Sequence, residues 1–432
     1  MNIGFISLGC CKNLTDSEHI MGMLKANGHH MVSDAKLADV IIVNTCGFIE
    51  SAKEEAINTI LEMAEYKAGR CQKLLVMGCL AQRYEKDLIQ EIPEIDRVIP
   101  IRQYAQLHEI FAELFHEEKT CEFAKSERLL STQPWTAYLK IAEGCSNDCA
   151  YCAIPLIRGG NKSFPIETLL QEARLLANRG VKELVLIAQD TSKYGLDLYG
   201  EYKLLDLLKA IHEVEGLHWI RILYMYPDEI SDELIEGMAK LPKVVPYFDI
   251  PMQHGADTML ERMNRRGNSD DALRLIDKIR QTFDDPTLRT TYIVGFPHES
   301  EEEFDQLMKF NQLAQWDRLG AFTYSHEEDT KAYLMGDDVE EAVKEERLSR
   351  IMAQQLEILE KKNQDHLGEV MEVLVEGYDA LKELYRGRGK NSAPDEVDGW
   401  IFFTSEQMLE MGSFVDVVID GYKAHDLYGK KA

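Results

Sequence analysis

Residues 137–152 read AYLKIAEGCSNDCAYC, an apolar run that turns directly into a loop carrying Cys145, Cys149 and Cys152. The run has the length and character of a buried strand. A strand that delivers reactive side chains at its C-terminal end is characteristic of parallel α/β sheets, where sites gather at that edge. Five comparable runs follow: ELVLIAQD (183–190), WIRILYMYP (219–227), VPYFDIPMQ (245–253), RTTYIVGFP (289–297) and LGAFTYS (319–325). Between them lie amphipathic stretches such as IETLLQEARLLANRG, where Leu169, Leu170, Ala173 and Leu176 share one helical face and Gly180 ends the helix. Six βα units are too few for a closed eight-unit barrel, so the pattern predicts an open (βα)6 partial TIM barrel.

Upstream, IGFISLGC ends at Cys10, VIIVNTC at Cys46 and KLLVMGC at Cys79. Each precedes a helical pattern, roughly Leu14 to Asn27, Ser51 to Lys67 and Ala81 to Gln90. Continuous apolar runs alternating with helices predict a parallel sheet covered on both faces. SERLLSTQPW, ending at Trp135, has no periodicity and reads as a linker. Downstream, a long polar helix from about Val339 to His366 leads into alternating segments, VMEVLVEGYD, LYRGRGK, GWIFFTS and SFVDVVIDGY. These predict a small antiparallel β-barrel. The chain is thus an α/β multidomain protein, with units expected at 1–130, 131–366 and 367–432.

Composition narrows the function. With 75 acidic against 48 basic residues the formal charge is -27, which argues against stable nucleic-acid binding and favours a basic protein partner. No apolar run is long enough to span a bilayer, and the start, MNIGFISLGCC, reads as a strand rather than a leader, so a cytoplasmic protein is expected. In that compartment nine cysteines call for a reason other than disulfides. Thiolates are soft ligands for iron–sulfur clusters, which normally take four. A compact loop with only Cys145, Cys149 and Cys152 leaves one iron open for a ligand, whereas zinc knuckles use paired spacings and a closed shell. Cys10, Cys46 and Cys79 end neighbouring parallel strands, so the sheet would gather a second trio at one edge. Cys11 competes with Cys10 for that role, while Cys71 and Cys121 lie outside the pattern and read as structural. Gln189, Asp190 and Gln253, with His254, end strands on the active face, placed either to contact a cofactor or only to order loops. Gly295 permits either close backbone approach to a cofactor or a tight turn. GRGK (387–390) reads as a solvated basic tip, the alternative being a phosphate contact.

CxxxCxxC with Tyr151 before its last Cys, on the first loop of a six-unit βα barrel, resembles the radical S-adenosylmethionine superfamily. SLGCCKN, VNTCGFIESA, GCLAQRY, IRG, VLIAQDTS, IPMQHG, TYIVGFPHE and APDEVDGW extend the resemblance over essentially the whole chain, to the methylthiotransferases. The similarity is greatest to the branch that modifies an aspartate of a small-subunit ribosomal protein at the decoding centre. Cys11 stands where that branch usually has Pro, and His298 where it usually has Gly. The resemblance implies a terminal TRAM β-barrel and two 4Fe-4S clusters, on Cys145, Cys149 and Cys152 and on Cys10, Cys46 and Cys79. It implies S-adenosylmethionine as both radical source and methyl donor, a deoxyadenosyl radical that takes hydrogen from the β-carbon of the aspartate, and an external electron donor. A sister branch methylthiolates a hypermodified adenosine in transfer RNA. The terminal unit, 366–432, carries thirteen Asp and Glu against seven Lys and Arg, which favours a basic protein over transfer RNA. The alternative of another class is a non-catalytic ribosome- or RNA-binding protein that uses metal only to fold.

Overall fold

The computed structural model describes residues 1–117, 127–394 and 398–432. Its first unit is a five-stranded parallel sheet of β1 (Asn2–Ser7), β2 (His30–Val32), β3 (Val40–Thr45), β4 (Lys73–Gly78) and β5 (Arg97–Pro100), ordered β2-β1-β3-β4-β5. The period of two along each strand sends alternate residues to opposite faces. Ile41, Val43, Leu74 and Val76 enter one apolar cluster, and Val40, Ile42, Leu75 and Met77 enter the other. The sheet is therefore covered on both sides, as its unbroken apolar runs require. Strands β2 and β5 escape a sequence reading because each has only three or four residues, and β5 ends on a proline.

The helices depart from expectation at their starts. The first begins at Cys11 rather than Leu14, and the third is split by Tyr84 into Cys79–Arg83 and Glu85–Glu91. Apolar periodicity registers a helix only where it begins to bury side chains, whereas these begin as soon as the strand-end turn is complete.

The second unit contains β6 (Thr136–Lys140), β9 (Glu183–Ile187), β10 (Trp219–Ile222), β11 (Tyr247–Asp249), β12 (Thr287–Val294) and β13 (Arg318–Thr323). All pair in parallel, as β10-β9-β6 and β11-β12-β13, and a bridge from Ile220 to Val244 joins the halves. This is an open six-stranded βα barrel. A two-residue ladder, β7 (Ala142–Glu143) against β8 (Lys162–Ser163), brackets the cysteine loop. The stretch read as a linker has neither helix nor strand from 127 to 135, as expected, but it is pinned: Arg128 Nε donates to Glu18 of the first unit at 2.7 Å, and Nη1 donates to Glu172 of the second at 3.0 Å. Ser126 lies outside the described residues.

The last unit closes a barrel from β14 (Val370–Asp379), β15 (Leu384–Arg388), β16 (Ile401–Thr404), β17 (Phe414–Lys423) and β18 (Asp426–Lys431). Four of these match the expected segments. The fifth, β18, runs parallel to β16, so one of the closing pairs departs from a purely antiparallel barrel. GRGK is a solvated tip only at Lys390, whose side chain is 47% exposed. Arg388 is 1% exposed and donates to Glu376 of its own unit and to Glu183 of the second, while Arg221 donates to Glu183 at 2.8 Å and to the carbonyl of Lys390 at 2.8 Å. Burial raises a carboxyl, yet Arg388 and Arg221 together hold Glu183 well below the ordinary range. Among the described residues no helix is long and apolar enough to cross a membrane.

Removing one partner of a buried pair leaves the other charge uncompensated, at about 3–5 kcal/mol. Arg388→Ala is therefore expected to lower the urea midpoint and to speed proteolytic release of the terminal barrel. An unchanged midpoint and digestion pattern would show that the network does not hold the barrel in place.

Candidate functional site

A sheet ordered β2-β1-β3-β4-β5 reverses direction between β1 and β3, which opens a crevice at their C-terminal ends. Cys10 follows β1, Cys46 follows β3 and Cys79 follows β4. Two glycines set how closely the three loops approach. Gly9 has φ +89°, and a Cβ there would come within 2.9 Å of Cys46 Cβ; a Cβ on Gly47 would come within 2.8 Å of the Leu80 backbone, next to Cys79. Buried Asn13 then ties the loops together, donating to the carbonyls of Leu8 at 3.1 Å and Thr45 at 3.0 Å, with Cys79 Sγ 3.5 Å from its Oδ1. Asn44 returns a hydrogen bond to the Asn13 carbonyl at 3.0 Å. Cys10 is exposed, Cys46 half-buried and Cys79 buried.

The second trio sits on the loop after β7. Cys145 N donates to Gly159 O at 3.0 Å, Cys152 N to Cys149 O at 3.1 Å, and Ala150 N to Met263 O at 2.8 Å. Cys149 Sγ lies 3.9 Å from both Tyr226 Oη and Arg265 Nη1, and the Arg265 guanidinium stacks 4.0 Å from the Tyr226 ring. Asp190 accepts from Asn147 of the loop at 2.7 Å and from Ser192, so its carboxylate orders the loop. Gln189 is half-buried beside it. Gln253 has φ +72°, pairs in register with Tyr292 and lines a cavity of about 580 Å³. Phe48, Ile49, Tyr151, Thr291 and Tyr324 share that cavity, which spans the loop after Cys46 and the barrel strand ends. At Gly295, with φ +71°, the crowding comes from Lys344, whose Cγ would lie 2.3 Å from an added Cβ. His254 is fully buried, with Nε2 2.9 Å from Glu299. His298, at φ +63°, is held by two contacts to Asp338, at 2.8 and 2.7 Å, which accounts for a non-glycine residue in a left-handed conformation.

Arg158 joins the two trios. It follows Cys152 in sequence, yet its Nη2 lies 3.7 Å from Cys79 Sγ and 2.5 Å from Asn13 Oδ1. It also donates to Asp16 at 3.2 Å and to Glu143 at 2.7 Å, while Lys140 binds the same two carboxylates. Burial works to raise Glu143, but Lys140 and Arg158 outweigh it and hold its carboxyl low. Sequence reasoning did not single out Arg158, Asn13, Asp16, Lys140 or Arg265, although IRG and CKN contain two of them. Asn13 and Arg265 reach cysteines of their own units through the fold of each, whereas Arg158 meets Cys79 only through the packing of two units.

The thiols fit a cluster by their chemistry. Burial pushes Cys79 and Cys152 each up to about 12 and raises Cys46 and Cys145, so a metal that replaces the proton relieves a cost the protein itself imposes. Among the described residues no group of three or more His, Cys, Asp or Glu suits a single metal ion; thiolates are the ligands that iron–sulfur clusters take. Cys11 is buried with Sγ 3.4 Å from Tyr224 Oη, whereas Cys10 is electrostatically coupled to Cys46 and Cys79. Cys71 Sγ donates to the carbonyl of Lys73 at 3.3 Å; Cys121 lies outside the described residues.

Three family models match the chain: Uncharacterized protein family UPF0004 at residues 2–100, the Radical SAM superfamily at 139–310 and the TRAM domain at 367–431. The chain is 47% identical to the ribosomal protein uS12 methylthiotransferase RimO of Acetivibrio thermocellus, over 99% of this chain and 98% of that protein. It is 47% identical to the RimO of Clostridium novyi, over 99% and 97% respectively. Among solved structures, the radical S-adenosylmethionine methyltransferase TsrM of Kitasatospora setae aligns with a TM-score of 0.55 at 11% identity, over 74% of this chain and 72% of TsrM. The cobalamin-dependent S-adenosylmethionine radical enzyme OxsB aligns with a TM-score of 0.51 at 11% identity, over 83% and 56%. Both are likenesses of fold alone.

Asn13→Ala would take a donor from the buried carbonyl of Thr45, a penalty of about 1–3 kcal/mol, and from the half-buried carbonyl of Leu8. The variant is expected to unfold at lower denaturant and to expose Cys79 to alkylation in the metal-free chain. Wild-type stability together with wild-type alkylation would rule out Asn13 as the tie between these loops.

Proposed function

The chain belongs to the ribosomal protein uS12 methylthiotransferase family, and from that premise we propose that it is a radical S-adenosylmethionine enzyme that adds a methylthio group to the β-carbon of an aspartate in uS12. One observation carries the reading beyond family membership: Arg158 touches Cys79 while the next residue, Gly159, accepts the Cys145 amide, so both trios border one space. When bound, a 4Fe-4S cluster on Cys145, Cys149 and Cys152 supplies the electron that cleaves S-adenosylmethionine, and a second on Cys10, Cys46 and Cys79 supplies an open iron that presents sulfur.

The chain's own residues position and protect. Asp190, through Asn147, and Arg265 with Tyr226 hold the loop of Cys145, Cys149 and Cys152, while Asn13 and Arg158 hold Cys79 of the other trio against it. Gln189, Asp190, Gln253 and Gly295 border the strand ends where S-adenosylmethionine would lie. The apolar walls of the 580 Å³ cavity, among them Phe48, Ile49 and Ile293, keep water from a substrate carbon that has lost hydrogen. Holding both sites on one space lets sulfur reach that carbon before it is quenched. The net charge of -27 suits a basic ribosomal protein, an external reductant delivers electrons, and the enzyme works in the cytoplasm.

Cys79→Ala is expected to form 5′-deoxyadenosine within about threefold of the wild-type rate and to transfer no methylthio group, as followed by mass spectrometry of uS12. Unimpaired methylthiolation would remove Cys79 from the ligand set. In cells lacking the protein, uS12 should lose the mass of one methylthio group; a loss found instead on transfer RNA would overturn the substrate.

A further inference from the structure

Lys12 carries a charge that no carboxylate contacts directly, although the buried Asp249 attracts it from beyond ion-pair distance. It lies in the first turn of helix Cys11–Ala26, directly after Cys10 and Cys11, and is 4% exposed. Neighbouring buried cations each have a carboxylate: Lys140 and Arg158 have Asp16 and Glu143, Arg221 has Glu183, and Lys344 has Asp337. Among the described residues the Lys12 ammonium enters no ion pair and no hydrogen bond, and instead lies 2.9 Å from the centroid of the Tyr224 ring. A buried ammonium that meets an aromatic face and has its nearest carboxylate, Asp249, out of contact gains from an anion placed at contact distance. Arg158 Nε and Asn44 Oδ1 are sealed among the described residues without a partner, whereas Lys12 Nζ is not among the sealed atoms.

Its position is equally specific. Tyr224 ends the loop after β10 in a left-handed conformation, φ +63°, that costs energy for an aromatic residue. The surroundings enforce it: the Tyr224 amide donates to Asp249 Oδ2 at 3.0 Å, and its carbonyl accepts from the Thr191 amide at 2.9 Å. Tyr224 Oη then lies 3.4 Å from Cys11 Sγ, while Tyr226, two residues on, lies 3.9 Å from Cys149 Sγ. Lys12 therefore stands over a strained platform between the two thiol trios.

We propose that Lys12 binds the side-chain carboxylate of the substrate aspartate. The inference rests on uS12 being the substrate. In aspartate the reacting β-carbon is bonded directly to that carboxylate, so a gripped carboxylate places the carbon within one bond of a fixed point. A charge-assisted contact in a dry site also rejects asparagine, because a neutral amide leaves the ammonium unanswered. S-adenosylmethionine offers a carboxylate too, but its site is on the side of Cys145, Cys149 and Cys152, whereas Lys12 extends from the Cys10 side.

The test uses anaerobically reconstituted full-length enzyme, with purified uS12 and with uS12 whose modified aspartate, located by mass spectrometry, is replaced by asparagine. Wild-type enzyme is expected to bind the aspartate form about 10- to 100-fold more tightly than the asparagine form. Lys12→Met should bring that ratio close to one without weakening S-adenosylmethionine binding, and Lys12→Arg should keep most of it, which a purely structural role would not do. An undiminished ratio in folded Lys12→Met, or in Lys12→Gln should the first variant fail to fold, overturns the proposal. So does a loss confined to S-adenosylmethionine affinity, which would assign Lys12 to the methionyl carboxylate. Should wild-type enzyme neither bind nor modify uS12, the substrate reading itself falls, an outcome separable from any result on the Lys12 variants.

Discussion

The buried ion cluster of Arg158, Lys140, Asp16 and Glu143 is the constraint on which the rest of the site depends. Asp16 belongs to the first unit and the other three to the second, so neither unit alone contains balanced charges. Such a pair inside a protein is poor evidence for stability, since desolvation offsets the attraction. Its value is geometric. Each charge is tolerated only where its partners stand, so the two units can dock in one arrangement, and that arrangement brings Arg158 to Cys79. A hydrophobic contact of equal area would slide more easily and would not fix the distance between two reactive loops.

A second ionic network works at the opposite end of the barrel. Glu183 and Thr136 begin β9 and β6, away from the cysteine loop, Arg221 of β10 reaches Glu183, and Arg388 from the terminal unit closes over them. Apolar packing continues the contact, with Leu374 and Ala393 joining Tyr138, Val185, Trp219 and Tyr247 in one cluster. Leu14 and Cys11 from the first unit enter the same cluster. An open barrel of six strands leaves its interior uncovered, and here both flanking units fill it. That explains why the acidic terminal barrel is part of the scaffold as well as a surface available to a basic partner.

Legibility followed the physics of each signal. The strands β1, β3, β4, β6 and β9 to β13 were readable because burial on both faces demands unbroken apolar runs, and the cysteines at their ends stood out by type and spacing. The loop role of Asp190 was one of two readings left open, and its hydrogen bonds to Asn147 and Ser192 give it physical form. GRGK was misread at Arg388 because basic residues in a short loop ordinarily face water, and nothing local reveals that Glu183, more than two hundred residues earlier, awaits Arg388. SERLLSTQPW connects the units as its lack of period indicates, but no local period encodes that Arg128 is held by Glu18 and Glu172.

Local pattern thus sufficed for the order of the units, the parallel sheets and the two sets of three thiols, because backbone hydrogen bonding and apolar burial act on neighbours in the chain. Tertiary structure alone decided that Arg158 reaches Cys79 while Gly159 accepts the Cys145 amide, and that Lys12 reaches Tyr224 with no carboxylate in direct contact. Those relations join residues far apart in the sequence. They depend on charges whose cost is set by the surface that covers them, and that surface exists only once all three units have packed.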